Sequence, residues 1–170
     1  MLIRVVIWFI VIAGLAIAGL FLIGPQQVWQ TVLGDPDTGR IELDQLQRSG
    51  RPNDALIGPA DQLTVVPDAE TPTFGIPAPA LYARLVAAIQ EEGVVTWVER
   101  DPVDLYARAI TYSPRLHFAD VNHIWVLPRE GQTSAVILYS AAHMGYSDMG
   151  KNRERLDGWL QLLQDVPLAP

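Results

Sequence analysis

The chain has 170 residues, a formal net charge of −7, 49% hydrophobic residues and no cysteine. That length suits one globular domain with an appendage. The negative charge speaks against nucleic acid, because a polyanion is repelled, and the missing thiols exclude disulfides, thiolate metal sites and cysteine nucleophiles.

The N-terminus carries the strongest pattern. From Val5 to Ile23 every residue is apolar or glycine, with Arg4 just before and Gly24-Pro25 just after. As a helix this run extends ~28 Å at ~1.5 Å per residue, enough to cross the hydrocarbon core of a bilayer. Trp8 and Trp29 lie near its two ends, where amphipathic rings favour the membrane interface. A cleavable signal peptide competes with this reading through the small-x-small site Ala16-Ile17-Ala18, but the apolar run is longer than a usual signal core. The reading adopted is a single-pass anchor in contact with the lipid bilayer through residues 5–23. Arg4 and the α-amino group are the only cations before the span, and the first basic residue after it is Arg40. The positive-inside rule then puts the N-terminus in the cytoplasm and the rest of the chain outside. Gly14 and Ala18, with Ala13 and Ala16 nearby, make a small-residue face that would allow close packing inside a larger membrane-protein complex.

Residues 25–60 read as a connector. A short amphipathic piece (Val28, Trp29, Val32, Leu33) could lie along the membrane surface, and turn-rich stretches follow at Gly34-Asp35-Pro36-Asp37 and Ser49-Gly50-Arg51-Pro52-Asn53-Asp54. The folded domain is expected over 61–166. Leu63-Thr64-Val65-Val66 is a strand candidate. Ala80 to Gln90 has apolar residues at helical spacing (Leu81, Leu85, Ile89), with Pro79 in its first turn and Gly93 as its stop. Four β-like runs follow: Val94–Val98, Leu105–Tyr112, Val121–Leu127 and Thr133–Tyr139, the last two forming a hairpin across Arg129-Glu130-Gly131. A final helix from Met149 to about Gln164 lines up Asn152, Leu156, Trp159, Leu160 and Leu163. The expected fold is α+β: an antiparallel sheet of four or five strands with two helices packed on one face.

The unusual residues gather where the last strand meets the last helix, in Gly145-Tyr146-Ser147-Asp148-Met149-Gly150-Lys151-Asn152-Arg153-Glu154-Arg155. The pattern Gly145-x-Ser147-Asp148-x-Gly150-x-Asn152-x-x-Arg155, together with Arg51-Pro52-Asn53-Asp54 and Tyr112-Ser113-Pro114-Arg115-Leu116-x-Phe118-x-Asp120, resembles the bacterial domain-of-unknown-function 1499 family over roughly Arg51 to Leu163. The resemblance implies a fold and a location but no reaction; in a Gram-negative bacterium the outward side set by the charge rule is the periplasm, which makes the expected location an inner-membrane anchor with a periplasmic domain. This chain departs from the family pattern in two places. Members often carry cysteines soon after the Pro-Asn pair, where it reads Ala55-Leu56-Ile57-Gly58-Pro59, and often an arginine where it has Ala141.

Two readings of the joint are open. Ser147 or Asp148 can cap the last helix, with Gly145 and Gly150 supplying permissive backbone. Alternatively, free N–H groups there, with Lys151, Asn152 and Arg155, can hold a phosphate or carboxylate. Asp120 or Asp148 is a candidate ion-pair partner for Arg155, which would account for these residues without a ligand. A hydrolase-like or metal-assisted site built from Asp120, His143 and Ser147 is the enzymatic alternative, although no Gly-x-Ser-x-Gly elbow surrounds Ser147. His117, His123 and His143 match no metal-ligand spacing, so neither a metal nor a cofactor is expected. The functional expectation is a membrane-anchored binding or scaffolding domain, with an accessory subunit of an inner-membrane complex as a further alternative.

Overall fold

The computed structural model describes residues 2–169, except for the side chains at 2, 16–18, 20–23 and 25. Five strands form one antiparallel sheet in the order β1-β5-β4-β3-β2. They are β1 (Asp54–Ile57), β2 (Val95–Asp101), β3 (Tyr106–Tyr112), β4 (Ala119–Arg129) and β5 (Thr133–Ala142). Four α-helices accompany them: α1 (Leu2–Ile23), α2 (Pro25–Leu33), α3 (Ala78–Glu92) and α4 (Lys151–Gln161). The α+β class and the antiparallel sheet agree with the sequence pattern.

Both faces of the sheet are covered. Successive side chains in a strand alternate between faces, and the register pairs Ile124 with Leu138 and Val126 with Val136 on one side, and Trp125 with Ile137 and His123 with Tyr139 on the other. The first side meets the helices: Leu81, Leu85 and Ile89 of α3 and Leu156 and Trp159 of α4 join Ile124, Val126, Val136 and Leu138 in one core. Burial on both faces is why β5 reads as an unbroken apolar run, Ala135-Val136-Ile137-Leu138-Tyr139, rather than an alternating one. Helix α3 begins after extended Pro77 and stops at Gly93 in the left-handed region, φ 68.

The second face corrects the expected boundaries. Residues read as connector supply its cover: Leu46 is buried in a second core with Leu56, Tyr106, Trp125, Ile137 and Tyr139, with Ile41, Leu43, Leu63 and Val65 packed against it. Asp54–Ile57, also within the expected connector, is an edge strand paired with β5. The strand expected at Leu63–Val66 does not form. Pro67 gives no ladder donor, and the chain instead meets β1 just beyond it, where Asp68 N–H donates to Leu56 O and Gly58 N–H to Ala69 O. Gly58 is needed there, since a Cβ would stand 2.9 Å from Ile137 Cγ1.

Gly24, at φ 86, separates α1 from α2. The apolar side of α2 is committed to the domain: Trp29 Nε1 donates to Leu116 O at 2.6 Å and its ring lies 5.1 Å from that of Phe118, leaving Val32 exposed. Among the described residues, no helix is long and apolar enough to cross a membrane. The expected span Val5–Ile23 lies in part outside them, at side chains 16–18 and 20–23.

Candidate functional site

The 145–155 joint turns the chain from the end of β5 into α4. It does so through positive φ angles at Gly145 (97°), Met149 (57°) and Gly150 (79°), the last two consecutive. Glycine adopts this region freely, whereas Met149 must be held in it. Two short side-chain loops do the holding. Ser147 Oγ accepts from Met149 N–H at 3.2 Å, and Asp148 Oδ1 accepts from Gly150 N–H at 3.1 Å. The other Asp148 oxygen accepts from Asn152 N–H at 2.6 Å, within the first turn of α4. A carboxylate therefore already occupies the helix start, where its charge also complements the helix dipole. Lys151 is exposed and reaches Glu154 at 2.6 Å.

Beneath the joint the remaining motif residues turn inward and close a buried polar network. Asn152 is fully buried; its Nδ2 donates to Asn53 O at 3.0 Å, and its Oδ1 faces Ser140 Oγ at 2.7 Å and Arg155 Nη1 at 2.5 Å. Ser140 has one hydroxyl proton and two carbonyl neighbours, Asn152 Oδ1 and Asn122 Oδ1 at 2.6 Å. Arg155 Nη1, at 3.0 Å from Ser140 Oγ, supplies the donor that this arrangement lacks. Asn122 Nδ2 contacts Ala109 O, Thr111 Oγ1 and Asp120 O, each at 3.1 Å. Arg155 Nη2 completes the set by donating to Asp120 Oδ2 at 2.7 Å. Asn53 Nδ2 donates in turn to Gly145 O at 2.8 Å, fastening the β1 approach to the joint.

The electrostatics follow from this enclosure. Burial pushes the Asp120 carboxyl above its ordinary range, and the adjacent Arg155 guanidinium only partly offsets that. The network ties β3, β4, β5, α4 and residue 53 together, leaving neither charge of the Asp120–Arg155 pair free. The outer side of the joint is a shallow recess of about 220 Å³ between Phe118, Ala142, Met144, Ser147 and Met149, with Asp120 and Asp148 on its wall.

The residues of the enzymatic alternative have separate partners. His143 Nε2 lies 3.3 Å from Leu33 O, Asp120 pairs with Arg155, and Ser147 holds the Met149 amide. His117 sits in the β3–β4 loop at φ 53, and His123 is buried on the opposite face of the sheet from the network. Among the described residues, no three or more His, Asp or Glu side chains converge in a metal-binding group.

Sequence reasoning missed Asn53, Asn122 and Ser140 as members of the site. The available signal was parity, since Asn122 and Ser140 occupy positions that share a sheet face with Ile124 and Leu138. It also missed the ion pairs that hold the cover on the second face. Arg48 bridges Asp54 at 2.9 Å and Asp68 at 3.0 Å, and Arg108 meets Asp37 at 3.0 Å. Burial would raise the Asp54 carboxyl, but hydrogen bonds from Arg48 and the Ser49 amide carry it below its ordinary value. On the same face Tyr106 Oη and His123 Nδ1 are 2.8 Å apart, and burial lowers the imidazole to about 4.

The structure thus defines a class: a five-strand, two-helix α+β domain whose signature residues build a turn and a buried polar staple. Residues 47–163 match the family described as "protein of unknown function (DUF1499)", and the chain belongs to that family. No curated protein matches the chain.

Proposed function

We propose that the protein is a single-pass membrane protein of the bacterial inner membrane. Its α+β domain stands on the periplasmic side, where it binds or scaffolds rather than catalyses. The observation that carries this reading is the uninterrupted apolar run Val5–Ile23, which lies within the 22-residue helix α1. Most of the described side chains of that helix are bare; Ile3 and Phe9 are each 75% exposed. A continuous apolar helix without a protein partner is stable only where lipid or another protein surrounds it. Arg4 on the N-terminal side supports a cytoplasmic N-terminus through the positive-inside rule.

A scaffolding rather than catalytic role for the motif is supported by how its residues are used. Asp148 fills the helix start that an anion would need, and Arg155 is spent on Asp120. A second reading, an accessory subunit of an inner-membrane complex, is supported by Gly14, where an added Cβ would meet nothing within 4 Å. The backbone there stays open to close approach by another helix.

Topology tests the proposal. The chain has no native cysteine, so a single cysteine at exposed Val103 reports one position. A membrane-impermeant maleimide should label V103C in cells whose outer membrane is permeabilised and whose inner membrane is intact. Labelling only after the inner membrane is broken would overturn the periplasmic placement.

A further inference from the structure

We infer that one end of the domain rests on the bilayer surface, with Leu116, Tyr146 and Met149 at the hydrocarbon boundary and Arg51 and Arg115 on lipid phosphates. This rests on the reading of α1 as a membrane anchor and adds how the domain is held against the lipid.

Three chain segments meet at this end of the sheet. The register pairs Tyr112 with Ala119, Asp120 with Ala142 and Asp54 with Ala141. The β3–β4 loop, the joint after β5 and the approach to β1 through Arg51 and Pro52 therefore emerge side by side, and Asp148 N–H donates to Pro52 O at 3.2 Å. Helix α2 docks on the same end through Trp29 on Leu116 O and Leu33 O beside His143 Nε2. Only Gly24 separates α2 from α1. A span ending at residue 23 thus delivers this end of the domain, and no other, to the membrane surface.

The surface chemistry agrees. Leu116 is 55%, Tyr146 73% and Met149 91% exposed, and they come from two different loops; Val32 of α2 is exposed as well. The Ser147 and Asp148 loops that hold Met149 at φ 57 leave its side chain in the open. An aromatic ring and long apolar side chains beside cations form the usual composition of a membrane-interface contact. Arg51 and Arg115 are exposed, and neither forms an ion pair among the described residues; the same holds for Arg84 on α3 and Arg100 on β2, whereas Arg40, Arg48, Arg108, Arg129, Arg153 and Arg155 all do. The acids close to the joint are spent: Asp148 on backbone amides, Asp120 on Arg155 and Glu154 on Lys151. Asp35 remains at the end of α2, and Glu91 and Glu92 remain at the end of α3, on the β2 side of the same end of the sheet. Asp101 at the end of β2, and Asp104 and Glu130 just beyond strand ends, lie at the opposite end, away from anionic lipid. Tethering by α1 raises the effective concentration of lipid at this surface, so weak contacts suffice to orient it.

The test uses the full chain in nanodiscs containing anionic lipid, with a fluorophore on L116C, Y146C, M149C or, as a control at the far end, V103C. Nitroxide-labelled lipids should quench the first three several times more strongly than the control. The R51A/R115A pair should weaken that quenching in anionic discs more than in zwitterionic ones. Equal quenching at all four positions, in protein that stays disc-bound, would overturn the docking and leave the anchor intact. Protein that separates from the discs on flotation would overturn the anchor and the docking together. Weak quenching in pure lipid, with the same cysteines shielded from maleimide in native membranes, would also overturn the docking and point to a protein cover instead.

Discussion

Replacing Arg155 with alanine probes the polar staple most sharply. The guanidinium lies 2.7 Å from Asp120 Oδ2, and the two side chains are 18% and 12% exposed. Removing one partner of a buried pair leaves the other charge uncompensated and costs about 3–5 kcal/mol, whereas an exposed ion pair is worth about 0–1 kcal/mol. Arg155→Ala would also strip a donor from Ser140 Oγ and Asn152 Oδ1. The loss expected at neutral pH is therefore about 3–5 kcal/mol, read from urea unfolding of the chain beginning at Gly24. The pH dependence has a definite sign. Burial already raises the Asp120 pKa above its unfolded value, so ionising it costs stability as pH rises towards the folded pKa. Without Arg155 that cost grows, and the penalty of the variant should shrink as pH falls and Asp120 takes up its proton. An Asp120→Asn/Arg155→Met double variant should recover part of the loss, since no charge is then stranded. A loss below about 1 kcal/mol at neutral pH, with no pH dependence, would place the pair in effective contact with water and refute the reasoning.

Asp148→Ala removes the acceptor for two backbone amides and should cost about 0.5–2 kcal/mol in the same unfolding measurement. Ser147→Ala, which frees only the Met149 amide, should cost less. Because Leu46 and β1 belong to the core, a chain from Thr38 onward should melt cooperatively by calorimetry, while one from Asp61 onward should not. Burial holds the His123 pKa at about 4 against 6.5 unfolded. Its neutral form therefore contributes stability that is fully present above pH 6.5 and lost as pH falls towards 4, up to about 3 kcal/mol. His123→Phe should flatten that part of the stability–pH curve.

How much of this was legible depended on the kind of signal each element leaves. Helix α3 announced itself through Leu81, Leu85 and Ile89 and through its flanking Pro79 and Gly93, because period and caps are local. Strands β2 to β5 were legible for the same reason, and β4 and β5 especially so because they are apolar on both faces. Strand β1 was not: Asp54–Ile57 is four residues long and sits among turn-forming residues, and only pairing with Ser140 and Tyr139 makes it a strand. The cover over the second face was equally hidden, since Leu46 is a single leucine in a polar stretch and its burial is decided by a distant sheet. In the joint, the residues that touch their own neighbours were readable from sequence, although the N-cap position itself falls to Gly150 and Asp148 reaches the helix start from two residues before it. The partners of Asn152 and Arg155 on β4, β5 and residue 53 depend on register, which a single chain does not disclose.

The central claim, a retained anchor carrying a folded domain, is tested most directly by the intact mass of the protein recovered from carbonate-washed membranes. The account predicts the mass of the chain with residues 5–23 still attached, found in the membrane pellet. A soluble species whose mature N-terminus falls near Gly19 would contradict it.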